Sequence, residues 1–383
     1  MISKAWISAF YEKEFGKKPS CFRAPGRINL IGEHTDYNQG FVMPAGIDFY
    51  CYVAISDTQA HSSSIIACDY QEKFSFNSLP EKPTSTHWVN YILGVIKAMN
   101  KRGKVLPFFN AIIQSDIPVG AGLSSSAALE SVFAKAFNTF FNLGFSSMEL
   151  ALIAREAEND FVGLQCGIMD MFASIHAKEN HAIRLDCRSL EYEYFPLELA
   201  DNKIVLFDTC IKHELASSEY NQRRKECEAA VSRLNQLGHR VESLRGVDIS
   251  MLHAEKSQLD TLLYKRAKYV IEENARVDKF SKAISTSDWA TAGSYLYGSH
   301  DGLKNDYEVS CKELDLLVDV ARESEGVWGA RMMGGGFGGC TINLVKEDKV
   351  EEVIEHVKTS YSDTFGVAPK YYIATTGNGA CEI

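Results

Sequence analysis

Long apolar runs are missing from this 383-residue chain, and no charge-free stretch is long enough to cross a bilayer. The first 18 residues mix Lys4, Glu12, Lys13 and Glu14 with aromatics, as an amphipathic helix would. They lack the apolar centre and small-residue cleavage site of a signal peptide. Closely spaced cysteines are missing too. The ten never fall nearer than 17 positions (Cys51 to Cys68, Cys210 to Cys227), which excludes a zinc knuckle or a Cys-x-x-Cys redox pair. Reduced, buried thiols in a cytoplasmic protein are the simplest expectation. A basic excess is absent: the net charge is −10 and the pI about 5.6, which argues against nucleic acid or an anionic membrane as the main partner. There is no internal repeat and no low-complexity segment. What remains is the composition of a soluble globular enzyme, long enough for two domains and a sizeable core.

The stretch around which the rest is organised runs from Pro118 to Ala128, Pro-Val-Gly-Ala-Gly-Leu-Ser-Ser-Ser-Ala-Ala. The preceding residues 107–114 are apolar and β-prone and read as a buried strand. After it, Ala128, Val132, Phe133, Ala136, Phe137 and Phe140 recur at the helical period, and Glu130 is placed in the first turn, where the dipole favours an acid. Gly120 and Gly122 let backbone amides turn inward at φ values other residues resist. Ser124, Ser125 and Ser126 can cap the helix, whose free N–H groups add partial positive charge. This is either a well-capped turn or a phosphate cradle, and the serine run, with Ala127 and Ala128 leaving no bulk beside the loop, favours the cradle. It is neither a Walker A loop, lacking Gly-Lys-Ser/Thr, nor a dinucleotide fingerprint, since Ser125 holds the third glycine position. Without a lysine, phosphate charge must be met by a metal and by groups elsewhere.

Residues 23–38, Arg-Ala-Pro-Gly-Arg-Ile-Asn-Leu-Ile-Gly-Glu-His-Thr-Asp-Tyr-Asn, read as a short buried piece broken by Gly26 and Gly32. Glu33, His34, Asp36 and Tyr37 then crowd into five positions. Carboxylates, an imidazole and a phenol so placed can receive several hydroxyls of one sugar and discriminate epimers; a solvated polar turn is the alternative. Arg23 and Arg27 lie close by, and the permanent charge of Arg27 suits a phosphate or a carboxylate.

Gly26 to Tyr37 resembles the N-terminal signature of galactokinases. The Gly-Leu-Ser-Ser-Ser-Ala-Ala loop is similar to the phosphate loop of their superfamily, which includes homoserine, mevalonate and phosphomevalonate kinases (GHMP). Met333 to Thr341, with five glycines among the six residues 334–339, resembles the superfamily's C-terminal glycine-rich segment. Those glycines either pack against the phosphate loop or form a flexible hairpin. Cys166 to Ser174 resembles the segment carrying the catalytic aspartate, which matches Asp170, although Met171 stands where the family usually has glutamine. On the residues alone, Asp170 lies at a helix start, where it serves as a cap or as an ionised base.

Further along, Ser146 to Glu149 reads as a capping box opening a helix over 150–162 that Gly163 ends. Glu158 shares an apolar face of that helix with Ala151, Ala154, Phe161 and Val162, a costly position unless a cation pairs with it. Magnesium or a salt bridge would each do. Trp88 is either a stacking surface for adenine or a helix anchor. Strands are expected at 203–208, 342–345 and 371–374, and helices at 214–237, 264–280, 288–297 and 350–361. A domain boundary is placed near residue 196, giving units of 1–195 and 196–383.

The resemblance implies an α+β kinase of two domains, the first with a mixed sheet, the second antiparallel, and the active site between them. It would move the ATP γ-phosphoryl group to O1 of galactose. Amides of Gly120 to Ser126 would hold phosphates beside Trp88, and Ser126 and Glu158 match the family's magnesium ligands. Asp170 would be the base and Arg27 its charged neighbour. Glu33, His34, Thr35, Asp36, Gly167 and Tyr220 would orient the sugar. Galactose and ATP are the implied partners, with no obligate protein partner. Two other readings stay open: a kinase for N-acetylgalactosamine or arabinose, and a sugar- and ATP-binding regulator without turnover.

Overall fold

Strand β1 (Ser20–Asn29) and strand β3 (Pro44–Asp57) form the antiparallel pair on which the fold is built. The computed structural model describes residues 4–211 and 216–383. Helix α1 (Lys4–Phe15) precedes β1, and the two-residue β2 (Phe41–Val42) precedes β3. Strands β4 (Ser63–Ala67) and β5 (Glu72–Phe76), helix α2 (His87–Lys101) and strand β6 (Phe109–Ser115) follow. Helices α3 (Ser125–Phe140), α4 (Ser147–Glu156) and α5 (Met169–His176) come next. The first sheet has the order β13-β1-β3-β6-β4-β5 and is mixed, since β4 runs parallel to β6 while its other pairs are antiparallel. Its strands alternate faces as period-2 geometry requires. Val53 and Ile55 pack with Val89, Ile92, Val132 and Phe133 of α2 and α3, while Tyr52 and Ala54 pack with Ile7 and Tyr11 of α1.

Strands β7 (His181–Asp186) and β8 (Tyr192–Pro196) make a small antiparallel sheet with β2. Strand β9 (Asn202–Asp208) opens the second half. Helices α6 (Ala216–Gln236), α7 (Ile249–Ala254), α8 (Thr261–Ser285), α9 (Trp289–Gly302) and α10 (Lys312–Glu323) lead to strands β10 (Val327–Met332) and β11 (Cys340–Lys346). Helix α11 (Val350–Phe365), β12 (Lys370–Ala374) and β13 (Cys381–Glu382) finish the chain. The second-half sheet, β10-β11-β9-β12, is antiparallel throughout. One face, Val205, Phe207 and Val345, meets α10 and α11. The other, Ile204, Leu206, Ile342 and Leu344, joins Leu30 and the core of the first half.

The expected elements are present with shifted ends. The helix predicted over 214–237 begins in residues outside those described. That predicted over 150–162 is α-helical only to Glu156 and closes in a π-turn, Ala157–Val162, ending at Gly163 in the left-handed region. The buried piece around Ile28 is a continuous ten-residue strand, not one broken at Gly26. Glu130 does not lie in the first turn of α3. It sits deeper, fully buried, and its carboxylate finds no hydrogen-bond partner among the described residues. Tyr371–Ala374 is not the final strand, because β13 returns to the edge of the first sheet and pairs with Phe22 and Arg23. Among the described residues no helix is long and apolar enough to cross a membrane.

Candidate active site

The site begins with an irregularity in β1. Its register against β3 shifts between Pro25 and Arg27, where proline has no amide to give. Gly26 at the shift lies so close to the phosphate loop that a Cβ there would stand 2.7 Å from the Leu123 carbonyl. The chain locks to that loop directly, Arg27 N donating to Leu123 O at 3.1 Å. The Arg27 side chain is thereby aimed along the loop. Its Nη1 donates to Gly122 O at 2.7 Å, and its Nε and Nη2 make a two-pronged contact with Asp170, 2.7 Å to Oδ1 and 2.8 Å to Oδ2. Burial works against the Arg27 charge, but Asp170, with Glu33 and Asp36 behind it, outweighs burial and the pKa is raised. Asp170 lies in the first turn of α5 without capping it. Arg23, two pleats earlier, lies over the ring of Tyr50 at 4.2 Å and takes no part.

The phosphate loop has the conformation its glycines allow: Gly120 and Gly122 adopt φ of 83° and 74°. Gly122, Gly334 and Gly339 bring two backbones together, with a Cβ on Gly122 meeting Met333 O at 3.4 Å and one on Gly339 meeting Ala121 at 3.6 Å. The glycine-rich loop between β10 and β11 thus packs against the phosphate loop. Ser125 and Ser126 line a cavity of about 450 Å³ with Trp88, His87, Tyr91, Asp69, Ile117 and Leu129. Trp88 is held there by its indole N–H, which donates to Glu72 at 2.7 Å. Ala121 and Leu123 are buried supports. The serines do not cap α3 through their side chains.

Behind Ser126 stands Glu158, placed by the π-turn that widens the end of α4. Ser126 Oγ donates to its Oε1 at 3.2 Å and Cys166 Sγ to its Oε2 at 3.4 Å. Burial, with Asp170 nearby, pushes the Glu158 carboxyl up to about 7. Among the described residues no three His, Cys, Asp or Glu side chains converge as a metal cluster. Met171 is fully buried against Ala127 and Ala154, so an apolar contact fills the family's glutamine position.

The sugar-signature residues line the other side of Asp170, between the two halves of the chain. Asp36 presses against Gly167 so tightly that any Cβ at 167 would overlap its carboxylate. Burial first, then Asp170, raises the Asp36 carboxyl to about 6. Tyr220 of α6 lies tilted beside His34 and edge-on to Tyr37, with ring centroids at 5.2 and 5.4 Å, and rests on Gly335. His34 Nε2 faces the Gly335 carbonyl at 3.2 Å, which can only accept, so the proton is on Nε2 and Nδ1 accepts from the Tyr37 hydroxyl at 2.8 Å. With the Tyr37 proton given to His34, Tyr37 Oη accepts from the Tyr307 hydroxyl at 2.7 Å, and Tyr307 Oη in turn accepts from the Cys227 thiol at 3.1 Å. Thr35 faces away. It is fully buried, its hydroxyl set between the Gly32 and Phe41 carbonyls, and it closes the turn rather than meeting a sugar. Glu33 is almost fully buried and bonded by Asn29 at 3.2 Å and Arg331 at 2.6 Å.

The match to known proteins covers both halves. Residues 9–57 match the galactokinase galactose-binding signature, 90–178 the GHMP kinase N-terminal domain and 280–363 the GHMP kinase C-terminal domain. The chain is 44% identical to a galactokinase of Thermotoga neapolitana over 94% of its own length and 99% of the relative's. The chain belongs to the galactokinase family. A galactokinase of Clostridium perfringens is 39% identical over 98% of this chain and 99% of its own. The solved structure of Lactococcus lactis galactokinase complexed with galactose superposes with a TM-score of 0.95 at 35% identity, over 99% of both chains. Methanococcus jannaschii mevalonate kinase, 18% identical over 94% of this chain and 99% of its own, shares the fold at a TM-score of 0.67.

Four contributors to this galactokinase-family site escaped the sequence reading: the Ser124 side chain, Arg331, Tyr307 and Cys227. Arg331 had a signal, a lone cation in the otherwise apolar strand before the third motif. Tyr307 and Cys227 had none, since nothing local marks a tyrosine or a thiol as part of a hydrogen-bond chain.

Proposed function

We infer that this chain is an ATP-dependent galactokinase in which Asp170 is the base and Arg27 the charge-stabilising partner. The observation that carries the reading is the two-pronged Arg27–Asp170 contact, fastened to the phosphate loop through Gly122 and flanked by Asp36 on its sugar side. Asp170 takes the proton from the O1 hydroxyl of galactose, O1 bonds to the γ-phosphorus, and the bond from that phosphorus to the bridging oxygen breaks to release ADP. Arg27, buried and permanently charged, offsets the negative charge that develops around the transferred group. Asp36, Glu33 and Tyr220 orient the sugar. Gly167 admits the Asp36 carboxylate, and His34 and Tyr37 wall the site. Adenine lies in the cavity beside Trp88, and amides of residues 120–126 face the phosphates.

Ser126 and Glu158 would hold Mg2+ together with phosphate oxygens and water. Their donor set fits, because a buried carboxylate raised to about 7 has no ion-pair partner among the described residues and the neighbouring hydroxyl supplies a second oxygen ligand. The ion would neutralise phosphate charge. All ten cysteines are free thiols, which supports a cytosolic setting.

Asp170→Asn tests the reading. The substitution preserves shape but cannot accept the proton, so kcat should fall by about 10²–10⁴-fold with the galactose Kd retained. Near-wild-type turnover in a folded Asp170→Asn protein would remove Asp170 from the mechanism. A coupled assay over galactose, N-acetylgalactosamine, arabinose and glucose checks the substrate, and a comparable rate with any of the last three would overturn galactose as the preferred acceptor.

A further inference from the structure

We propose that Ser124 is a positioning residue whose hydroxyl fixes which oxygen of Asp170 receives the proton. The inference rests on Asp170 being the base. Ser124 Oγ donates to Asp170 Oδ2 at 2.5 Å. Oδ2 also accepts from Arg27 Nη2 at 2.8 Å, while among the described residues Oδ1 accepts only from Arg27 Nε at 2.7 Å. A carboxylate oxygen has two in-plane lone pairs. Those of Oδ2 are both used, and Oδ1 keeps one free. The Arg27 fork alone leaves the two oxygens equivalent, and Ser124 breaks that tie in favour of Oδ1.

The backbone supports the assignment independently. Ser124 adopts φ 57° and ψ 49°, the left-handed region, at the cap position of α3, yet its side chain makes no capping bond. The two other left-handed positions of this loop, Gly120 and Gly122, are glycines. A glycine at 124 would meet the same conformation without steric cost. A serine in that conformation turns its hydroxyl away from the helix and onto the base. Since the same loop faces the phosphates, the contact also links the seating of the nucleotide to the orientation of the carboxylate.

Ser124→Ala and Ser124→Gly separate hydroxyl from backbone, because both lose the hydroxyl and only glycine relieves the left-handed conformation. Both should lower kcat by about ten- to a hundredfold, the loss expected for one hydrogen bond to a charged group. KM for ATP and galactose should stay near wild type, and the glycine variant should melt above the alanine variant. In an Asp170→Asn background neither change should lower single-turnover rates further. Wild-type kcat in the two variants would overturn the proposal. So would a raised ATP KM with kcat retained, which would make the hydroxyl a phosphate ligand, or a glycine variant as active as wild type beside a crippled alanine variant. Turnover surviving in Asp170→Asn alone would instead overturn the base assignment on which the proposal stands. Melting curves establish that each variant is folded.

Discussion

At the scale of single residues, the site is a set of carboxylates in unlike surroundings. Asp170 has Arg27, and Glu33 has Arg331. Asp36 and Glu158 form no ion pair among the described residues, and burial, with Asp170 nearby, raises them to about 6 and about 7. For Asp36 the sign is fixed by a folded value above the ordinary 3.8. Its contribution to folding is fully present below about pH 4 and is lost as pH rises through about 6, where burial and Asp170 penalise the anion. Sugar binding has the opposite demand, since the ionised form accepts hydroxyl protons best. Galactose affinity should therefore weaken about tenfold between pH 7 and pH 5, following the ionised fraction of a group of pKa near 6. His34 cannot be the source of that transition, because burial lowers it to about 3 and it is neutral across the range. Calorimetric Kd values against pH check this, and Asp36→Asn should give weaker binding with a flat profile. A sloping profile in Asp36→Asn would assign the titration to another group.

At the scale of elements, the segments with strong local signals were legible and those fixed by tertiary contact were not. The loop over 118–128, the capping box at Ser146 and the helix of 350–361 announced themselves through glycine conformation, cap chemistry and period. β1 did not, because Pro25 and Gly26 read as a break. In the sheet they are the register shift that swings Arg27 to the phosphate loop. Glu130 failed for a related reason: a first-turn assignment depends on where the helix starts, and α3 starts at Ser125. The residue is therefore buried among acids instead of facing the dipole, and burial, with Glu158 and Asp170, pushes its carboxyl well above the usual range. Strand β10 was invisible because its glycine weakens the β pattern. That glycine has a mate. Gly329 and Gly293 of α9 meet backbone to backbone, and a Cβ on either would overlap the other or its neighbours. Gly293→Ala should cost about 1–3 kcal/mol through overpacking, more than helix propensity returns. Denaturant titration measures it, and a variant as stable as wild type would mean that α9 can lift from β10 freely.

At the scale of the whole molecule, the sugar signature belongs to the first half in sequence and is held by the second. Glu273 of α8 accepts from the Gly32 amide at 3.0 Å, Asn274 accepts from the Phe41 amide at 2.8 Å, and Tyr269 donates to the Glu33 carbonyl at 3.0 Å. Arg331 is the central pin. Fully buried on β10, it donates to Glu33 Oε2 at 2.6 Å, to Leu30 O at 3.0 Å, to Met332 O at 2.6 Å and to Asn29 O. The motif suggested Glu33 as a sugar ligand, but no local pattern could show that its orientation comes from a strand some 300 positions away. Arg331→Met keeps the length and removes the charge, leaving Glu33 buried without its partner. Stability should fall by about 3–5 kcal/mol, the range for breaking a buried ion pair from one side. Galactose binding should weaken with it, while nucleotide binding, which the proposed function places beside Trp88, should change far less. Adding Glu33→Gln removes the stranded charge, so the double variant should recover part of the stability and none of the galactose affinity. That split separates a structural pin from one that also orients the sugar acceptor. If the double variant regains both, Glu33 is only a partner for Arg331. If Arg331→Met melts like wild type, the two halves are held together elsewhere.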